Sequence, residues 1–197
     1  MMVPQPCAAL CLLYPSAKIS KPRRAELAAK AADQPPVPPD LFFCQQYDGI
    51  GNACGTIACM HSVANAALAG NFALNDGPLS KFMASSPAAP AERGKALLEA
   101  KDLQEMSDAT AAAGQTEGAG TDDAQDQHFI AFVNFKGFVY ELDGRNIGAD
   151  GVASPVCHGA TTDETFLLDA AKVVQEQFMS RDPENVNFNL VALAKNG

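Results

Sequence analysis

The sequence lacks two features that would associate it with a membrane or with nucleic acid. It has no apolar run near the roughly 20 residues that a membrane-spanning helix needs. Basic residues are scarce, with 14 Lys and Arg against 23 Asp and Glu, a net charge of −9. Contacts to phosphates need clustered positive charge. We therefore expect neither a membrane nor a nucleic acid as partner, but an acidic surface that favours a basic or neutral one.

The N-terminus also lacks the basic residue that normally precedes the apolar core of a secretory signal. Its short apolar run, CAALCLL at Cys7–Leu13, is better interpreted as a buried strand than as a signal. The six cysteines lie mostly inside apolar runs, in a chain of 197 residues that can bury a core without disulfides. Reduced thiols are typical of cytosolic proteins, so we expect a cytoplasmic monomer with one domain over residues 1–197.

Helical and strand patterns alternate along the chain, and an antiparallel hairpin comes late. The predicted strands are Cys7–Tyr14, Leu41–Gln46, His128–Phe135, Phe138–Leu142 and Val186–Ala194. The predicted helices are Pro22–Ala32, Asn52–Leu68, one or two within Ala88–Ala113, and Asp163–Met179 behind a Thr161 and Glu164 capping box. A mobile loop is expected at Gln115–Gln127 and a long loop at Gly144–Ala160. This order predicts an α+β fold.

Cys54 lies where a turn becomes a helix, in GNACGTIACMHSVANA. If Asn52 is the N-cap, the thiol falls in the first turn, where unpaired N–H groups and the helix dipole favour an anion. A thiolate is the reactive form of cysteine. A buried cysteine used only for packing is the alternative.

A histidine that could serve such a thiol opens the hairpin. If Lys136 and Gly137 form a two-residue turn, His128 lies opposite Arg145, and the two-residue period puts Asp143 on the same face as His128. Asp143 could then hold the imidazole ring, although Asp-Gly is also common simply as a turn. A cysteine, a histidine and a carboxylate together are the parts of a thiol hydrolase.

These segments resemble the ubiquitin C-terminal hydrolases, which are papain-like cysteine proteases that act on ubiquitin. The resemblance covers NACGTIACMHSVANA, HFIAFVNFKGFVYELDGR, HGATTDETFLLDAAKVV and VNFNLVALAK, in order. It implies a papain-like fold, with a central antiparallel sheet flanked by helices, and ubiquitin or a ubiquitin-like modifier as partner. It also implies Cys54 as nucleophile, His128 as general base and acid, and Asp143 as orienting carboxylate, with no cofactor and no metal.

The sequence departs from the family pattern at the oxyanion donor. The family has a Gln six residues before the nucleophile, where this chain has Asp48, while Gln46 is eight residues before Cys54. A two-residue insertion in YDG would make Gln46 the match. An amide can donate to an oxyanion and an ionised carboxylate cannot, so we favour Gln46, with Asp48 as donor if there is no insertion.

Two further family features concern access and length. The segment Gln115–Gln127 corresponds to the approach to a crossover loop above the active site, which limits what can leave from the ubiquitin C-terminus. Family members typically carry an N-terminal segment before the strand that CAALCLLYP resembles, whereas this chain starts at Met1 close to that strand. Either the chain is natively short, or the sequence is an incomplete version of a longer one.

Two other functions are compatible with parts of the sequence. An inactive ubiquitin-binding pseudoenzyme would fit Asp48 and the short N-terminus, but not the complete set of Cys54, His128 and Asp143. A structural metal protein could use Cys54, Cys59 and His61, but this spacing has no second ligand pair and fits zinc poorly.

Overall fold

A computed structural model describes residues 3–47, 53–113, 127–148 and 150–194. Within these ranges the strands form one antiparallel sheet in the order β4-β3-β2-β1-β5. They are β1 (Cys7–Pro15), β2 (Gln127–Phe135), β3 (Phe138–Leu142), β4 (Val156–Ala160) and β5 (Asn189–Ala194). The α-helices are α1 (Ser20–Ala29), α2 (Ala53–Leu68), α3 (Pro78–Ser85), α4 (Pro90–Glu99), α5 (Lys101–Ala113) and α6 (Phe166–Gln177). The predicted α+β class is confirmed.

Both faces of the sheet are covered, because alternate residues of the central strands point to opposite sides. One face packs against α6 through Leu10, Leu12, Ile130, Phe132, Phe166, Ala170 and Val174. The other face packs toward α2 through Ala9, Ala131, Val133, Leu142 and Ala58. Burying each large apolar side chain contributes about 1.5–3 kcal/mol, so the central strands β1 and β2 are held from both sides.

The β2–β3 hairpin has the predicted register, with Phe135 opposite Phe138 and Ala131 opposite Leu142. Lys136 and Gly137 both have positive φ, at 52° and 79°, as a type I′ turn requires. This two-residue turn fixes which residues meet at the far end of the hairpin, where His128 and Asp143 lie.

The predicted strand Leu41–Gln46 is wrong. The segment is buried but belongs to no sheet, because side chains of α2 take its backbone hydrogen bonds. Asn65 accepts from Phe42 N at 2.8 Å and donates to Phe42 O at 2.8 Å. His61 Nε2 accepts from Cys44 N at 2.9 Å. An apolar run alone cannot distinguish this arrangement from a strand.

The sequence patterns misplaced several other boundaries. The end of the predicted loop Gly144–Ala160 forms β4, and α3 was not expected. The last helix begins at Phe166, after a reciprocal pair in which Thr162 and Thr165 each accept the other's backbone N–H, at 3.3 and 3.1 Å. The Thr161 and Glu164 capping box is therefore wrong, since the cap forms one residue further along.

Other expectations are met more closely. The two helices α4 and α5 account for Ala88–Ala113, and β5 occupies the later part of Val186–Ala194. Of the predicted mobile loop Gln115–Gln127, Gln127 opens β2 and the remainder lies outside the described residues. No helix in the described ranges combines the length and apolar content that a membrane span requires.

Candidate active site

Cys54 is the second residue of α2, which begins at Ala53. Its thiol therefore lies in the first helical turn, where backbone N–H groups have no intrahelical partner. The expected N-cap, Asn52, lies outside the described residues. The cysteine is half-buried, and the side chain of His128 and the backbone of Phe129 lie near enough to lower the pKa of its thiol. The start of α2 thus meets the start of β2 at this thiol.

His128 and Asp143 are directly joined. His128 Nε2 lies 2.7 Å from Asp143 Oδ1, and the two residues are only 1% and 4% exposed. The same carboxylate oxygen accepts Arg145 N at 2.9 Å. Asp143 is therefore a turn residue and a partner of the imidazole at once, so the two interpretations of its position do not exclude each other.

The ring orientation leaves the second nitrogen of His128 for the thiol. Nε2 is occupied by Asp143, and Nδ1 is buried with no well-aligned hydrogen bond among the described residues. Nδ1 is therefore the ring nitrogen that is available to the Cys54 thiol. Tyr14 packs edge-on against the ring, with centroids 5.8 Å apart, and limits its rotation.

The charges of the three groups support one another. Burial would raise the pKa of Asp143, but the hydrogen bond and charge of His128, with Arg24 and Arg145 N–H, lower it to about 2. Burial would lower the pKa of His128, but Asp143 and Cys54 raise it to about 8. Burial also opposes ionisation of Cys54, yet His128, Phe129 N–H and the Arg145 charge lower the pKa of the thiol. The arrangement favours a thiolate beside an imidazolium.

Gln46 lies beside the hairpin end rather than on a strand. Its backbone N–H donates to Gly144 O at 2.8 Å. Its side-chain oxygen accepts from Arg145 Nη2 and Nε, at 2.8 and 2.9 Å, in the amide orientation that satisfies both groups. In this orientation the amide NH₂, and not the oxygen, is directed away from Arg145. Asp48, the other candidate oxyanion donor, lies outside the described residues.

Two arginines at the site were not predicted. Arg145 follows Asp143 in LDGR, and its position opposite His128 in the hairpin register was the signal that could have identified it. Arg24 of α1 lies 3.5 Å from Asp143 Oδ2 through Nη2, and no spacing in the sequence indicates this contact. The adjacent Arg23 makes a buried bidentate pair with Glu141, at 2.6 and 2.5 Å, so α1 is tied to the strand that leads to Asp143.

The other two histidines have structural contacts. His61 is fully buried, stacks on Phe43 with centroids 4.9 Å apart, and burial lowers its pKa to about 4. His158 lies on β4, where Nε2 is 2.8 Å from Glu141 Oε2. The ring nitrogen of His61 that accepts from Cys44 N is not available to a metal, and no cluster of three or more metal-binding side chains occurs among the residues described.

The chain also matches known proteins. The family model described as ubiquitin carboxyl-terminal hydrolase, family 1, matches residues 1–180. A ubiquitin carboxyl-terminal hydrolase of Drosophila melanogaster is 39% identical over 193 residues, which cover 97% of this chain and 79% of that protein. Ubiquitin carboxyl-terminal hydrolase isozyme L1 of Homo sapiens is 37% identical over 196 residues, covering 98% and 81%.

Solved structures show the same fold. Trichinella spiralis UCH37 bound to ubiquitin vinyl methyl ester is 20% identical with a TM-score of 0.62, and the match covers 97% of this chain and 65% of that one. Its catalytic domain, in complex with the same ligand, is 22% identical with a TM-score of 0.64 and coverages of 97% and 78%. This chain therefore spans just under two thirds of the first structure. By the family model and the curated relatives, the chain belongs to the ubiquitin carboxyl-terminal hydrolase family 1.

Proposed function

We propose that this protein is a cysteine deubiquitinase that hydrolyses bonds at the C-terminal glycine of ubiquitin. The observation that carries the proposal is the Cys54, His128 and Asp143 constellation: a half-buried thiol of lowered pKa, beside an imidazole joined at 2.7 Å to a buried carboxylate. The arrangement lowers the pKa of a thiol that a protein which only binds ubiquitin would not use. It therefore favours an enzyme over an inactive binding protein.

The first half of the reaction is acyl transfer. The Cys54 thiolate attacks the carbonyl carbon of the terminal glycine, and the carbonyl oxygen becomes an oxyanion at the start of α2. The Cys54 backbone N–H donates to that oxyanion, and the Gln46 amide is the proposed second donor. His128, held as imidazolium by Asp143, gives its proton to the leaving amine, and a thioester remains on Cys54.

The second half is hydrolysis. The neutral His128 now takes a proton from water, and the hydroxide attacks the thioester carbonyl. Collapse of the second tetrahedral intermediate expels the Cys54 thiolate and frees the ubiquitin carboxylate. Asp143 keeps the ring in one orientation throughout, so that Nδ1 remains the nitrogen that exchanges the proton.

The proposal extends to the oligomeric state, the partner and the location. We propose a monomer of one domain, with ubiquitin or a ubiquitin-like modifier as its partner. A cytoplasmic location is supported by six cysteines that are all free thiols, as a reducing compartment keeps them.

The test uses ubiquitin that carries a C-terminal vinyl methyl ester, followed by intact mass. We expect one ubiquitin adduct per chain, located on Cys54 by peptide mapping. Cys54→Ser should abolish the adduct, and the matched control Cys157→Ser should retain it. Labelling that survives Cys54→Ser, or that maps to Cys59, would refute the assignment.

A further inference from the structure

The segment Leu41–Gln46 ends at the proposed oxyanion donor, and side chains hold it where a neighbouring strand would hold a strand. Asn65 of α2 accepts from Phe42 N and donates to Phe42 O, each at 2.8 Å. Its amide also donates to His61 O at 2.8 Å, and the residue is fully buried. Both amide hydrogens of Asn65 and its oxygen are therefore used, which fixes the orientation in which it holds Phe42.

Two more side chains hold the middle of this segment. His61 Nε2 accepts from Cys44 N at 2.9 Å, and its ring stacks on that of Phe43. Burial lowers the pKa of His61 to about 4, so the ring is neutral at pH 7 and Nε2 can accept. Arg93 of α4 donates from Nη1 to Phe43 O at 2.9 Å. The segment is thus held by two helices, one of which carries Cys54.

The segment is also fixed at the end that carries Gln46. Gln45 N donates to Pro90 O at 3.0 Å, and Gln45 Oε1 accepts from Ala153 N at 2.9 Å. Gln46 N donates to Gly144 O at 2.8 Å. Because the segment has these further contacts, the loss of one side chain in its middle should displace Gln46 without releasing the segment from the fold.

We propose that the three side chains that hold this segment, His61, Asn65 and Arg93, are positioning residues for the oxyanion donor. They act through Gln46, whose amide must lie where the oxyanion forms at the start of α2. This inference rests on the proposed function and extends it beyond the residues that touch the substrate. Since two of the three lie on the helix that carries Cys54, α2 sets the positions of the nucleophile and of the donor together.

The test measures kcat and KM of the whole protein on ubiquitin with a small fluorogenic C-terminal amide. His61→Leu removes the acceptor for Cys44 N–H, whereas His61→Gln keeps an acceptor at a similar reach. We expect His61→Leu to lower kcat by about 10–10², with KM changed by less than about twofold, and His61→Gln to recover most of the loss. The matched control is Ser62→Ala, which removes a buried hydroxyl that contacts Ala58 O and Cys11 Sγ. It should keep kcat within about twofold.

A double-mutant cycle separates positioning from a general loss of structure. In a Gln46→Ala background, where the donor is already absent, His61→Leu should lower kcat by no more than about a further twofold. If His61→Leu does not fold, Arg93→Met enters the same cycle, because it can keep the stem over the Phe42 ring and removes the donor to Phe43 O. Equal losses with and without Gln46, or an unchanged kcat in the folded variant, would overturn the proposal.

Labelling with ubiquitin vinyl methyl ester distinguishes failure of this proposal from failure of the proposed function. If the unmodified protein forms the Cys54 adduct but Gln46→Ala leaves kcat unchanged, the positioning role is wrong and the proposed function stands. If the unmodified protein forms no adduct and releases no product, the proposed function is wrong, and the positioning role with it.

Discussion

Replacing Asp143 by Asn preserves the size of the side chain and removes its charge. The carboxylate has three partners: Oδ1 accepts from His128 Nε2 at 2.7 Å and Arg145 N at 2.9 Å, and Oδ2 lies 3.5 Å from Arg24 Nη2. An amide cannot satisfy all three. With its oxygen toward His128, its NH₂ points at the Arg24 guanidinium. In the reverse orientation, its NH₂ meets the Arg145 N–H and donates to Nε2, so the neutral ring carries its proton on Nδ1 and cannot accept one there from the thiol or from water.

The expected loss of activity depends on how strongly Asp143 stabilises the protonated ring of His128. Asp143 is the main group that raises the pKa of His128 to about 8, against burial, compared with an ordinary value of about 6.5. Losing that elevation costs about 2 kcal/mol of imidazolium stability, or about 30-fold, since a tenfold change is about 1.4 kcal/mol. Burial of the ring, no longer offset by the carboxylate, makes the loss larger. We therefore expect Asp143→Asn to lower kcat/KM by about 10²–10⁴, with the upper value if the ring changes tautomer.

The assay measures kcat/KM on ubiquitin with a small fluorogenic C-terminal amide, alongside urea unfolding to show that the variant folds. The matched control is Asp150→Asn, which removes the same charge from an exposed aspartate that accepts a backbone N–H two residues on, from Val152 at 3.0 Å. The control should retain activity within about twofold. A loss below about threefold in folded Asp143→Asn would mean that Asp143 is only a turn residue.

Three further outcomes are expected. The pKa of His128 is raised to about 8. The stability that the imidazolium contributes is therefore fully present below the ordinary pKa of about 6.5 and is lost as pH rises through about 8, and kcat should fall over the same range. A flat kcat profile from pH 7 to 9.5 would contradict this. Gln46→Ala should lower kcat by about 10² with little change in ubiquitin binding, whereas Asp48→Ala should be neutral or mildly activating; the reverse pattern would make Asp48 the donor. Arg24→Gln should lower the free energy of unfolding by less than about 1 kcal/mol, as its side chain is 31% exposed, and a tenfold loss of activity at pH 7 would show a larger role.

The hairpin was predictable because local rules fix it. A two-residue turn sets the register, and the register determines which side chains meet, so His128 and Asp143 could be paired from sequence. The face of α6 was predictable for a similar reason, since Phe166, Ala170 and Val174 recur at helical spacing and are buried. Both depend on periodicity within a single element.

Contacts between distant segments were not predictable in this way. Nothing local to Leu41–Gln46 shows that its backbone would bond to His61 and Asn65 of α2. Arg24 comes from a helix whose exposed pattern gives no sign of a buried carboxylate nearby.

The predicted oxyanion donor and the nucleophile depend on the same helix. His61 and Asn65 of α2 fix the segment that ends at Gln46, while Cys54 lies at the start of that helix. Gln46 in turn bonds Gly144 O and Arg145, and a Cβ on Gly144 would lie 3.0 Å from the Gln46 backbone N. The close approach of these two backbones holds the hairpin end against the segment anchored on α2. Such fixed donors need no reorganisation during the reaction. A substitution that disrupts the contact of Gln46 with Gly144 or with Arg145 should therefore reduce kcat before it weakens ubiquitin binding.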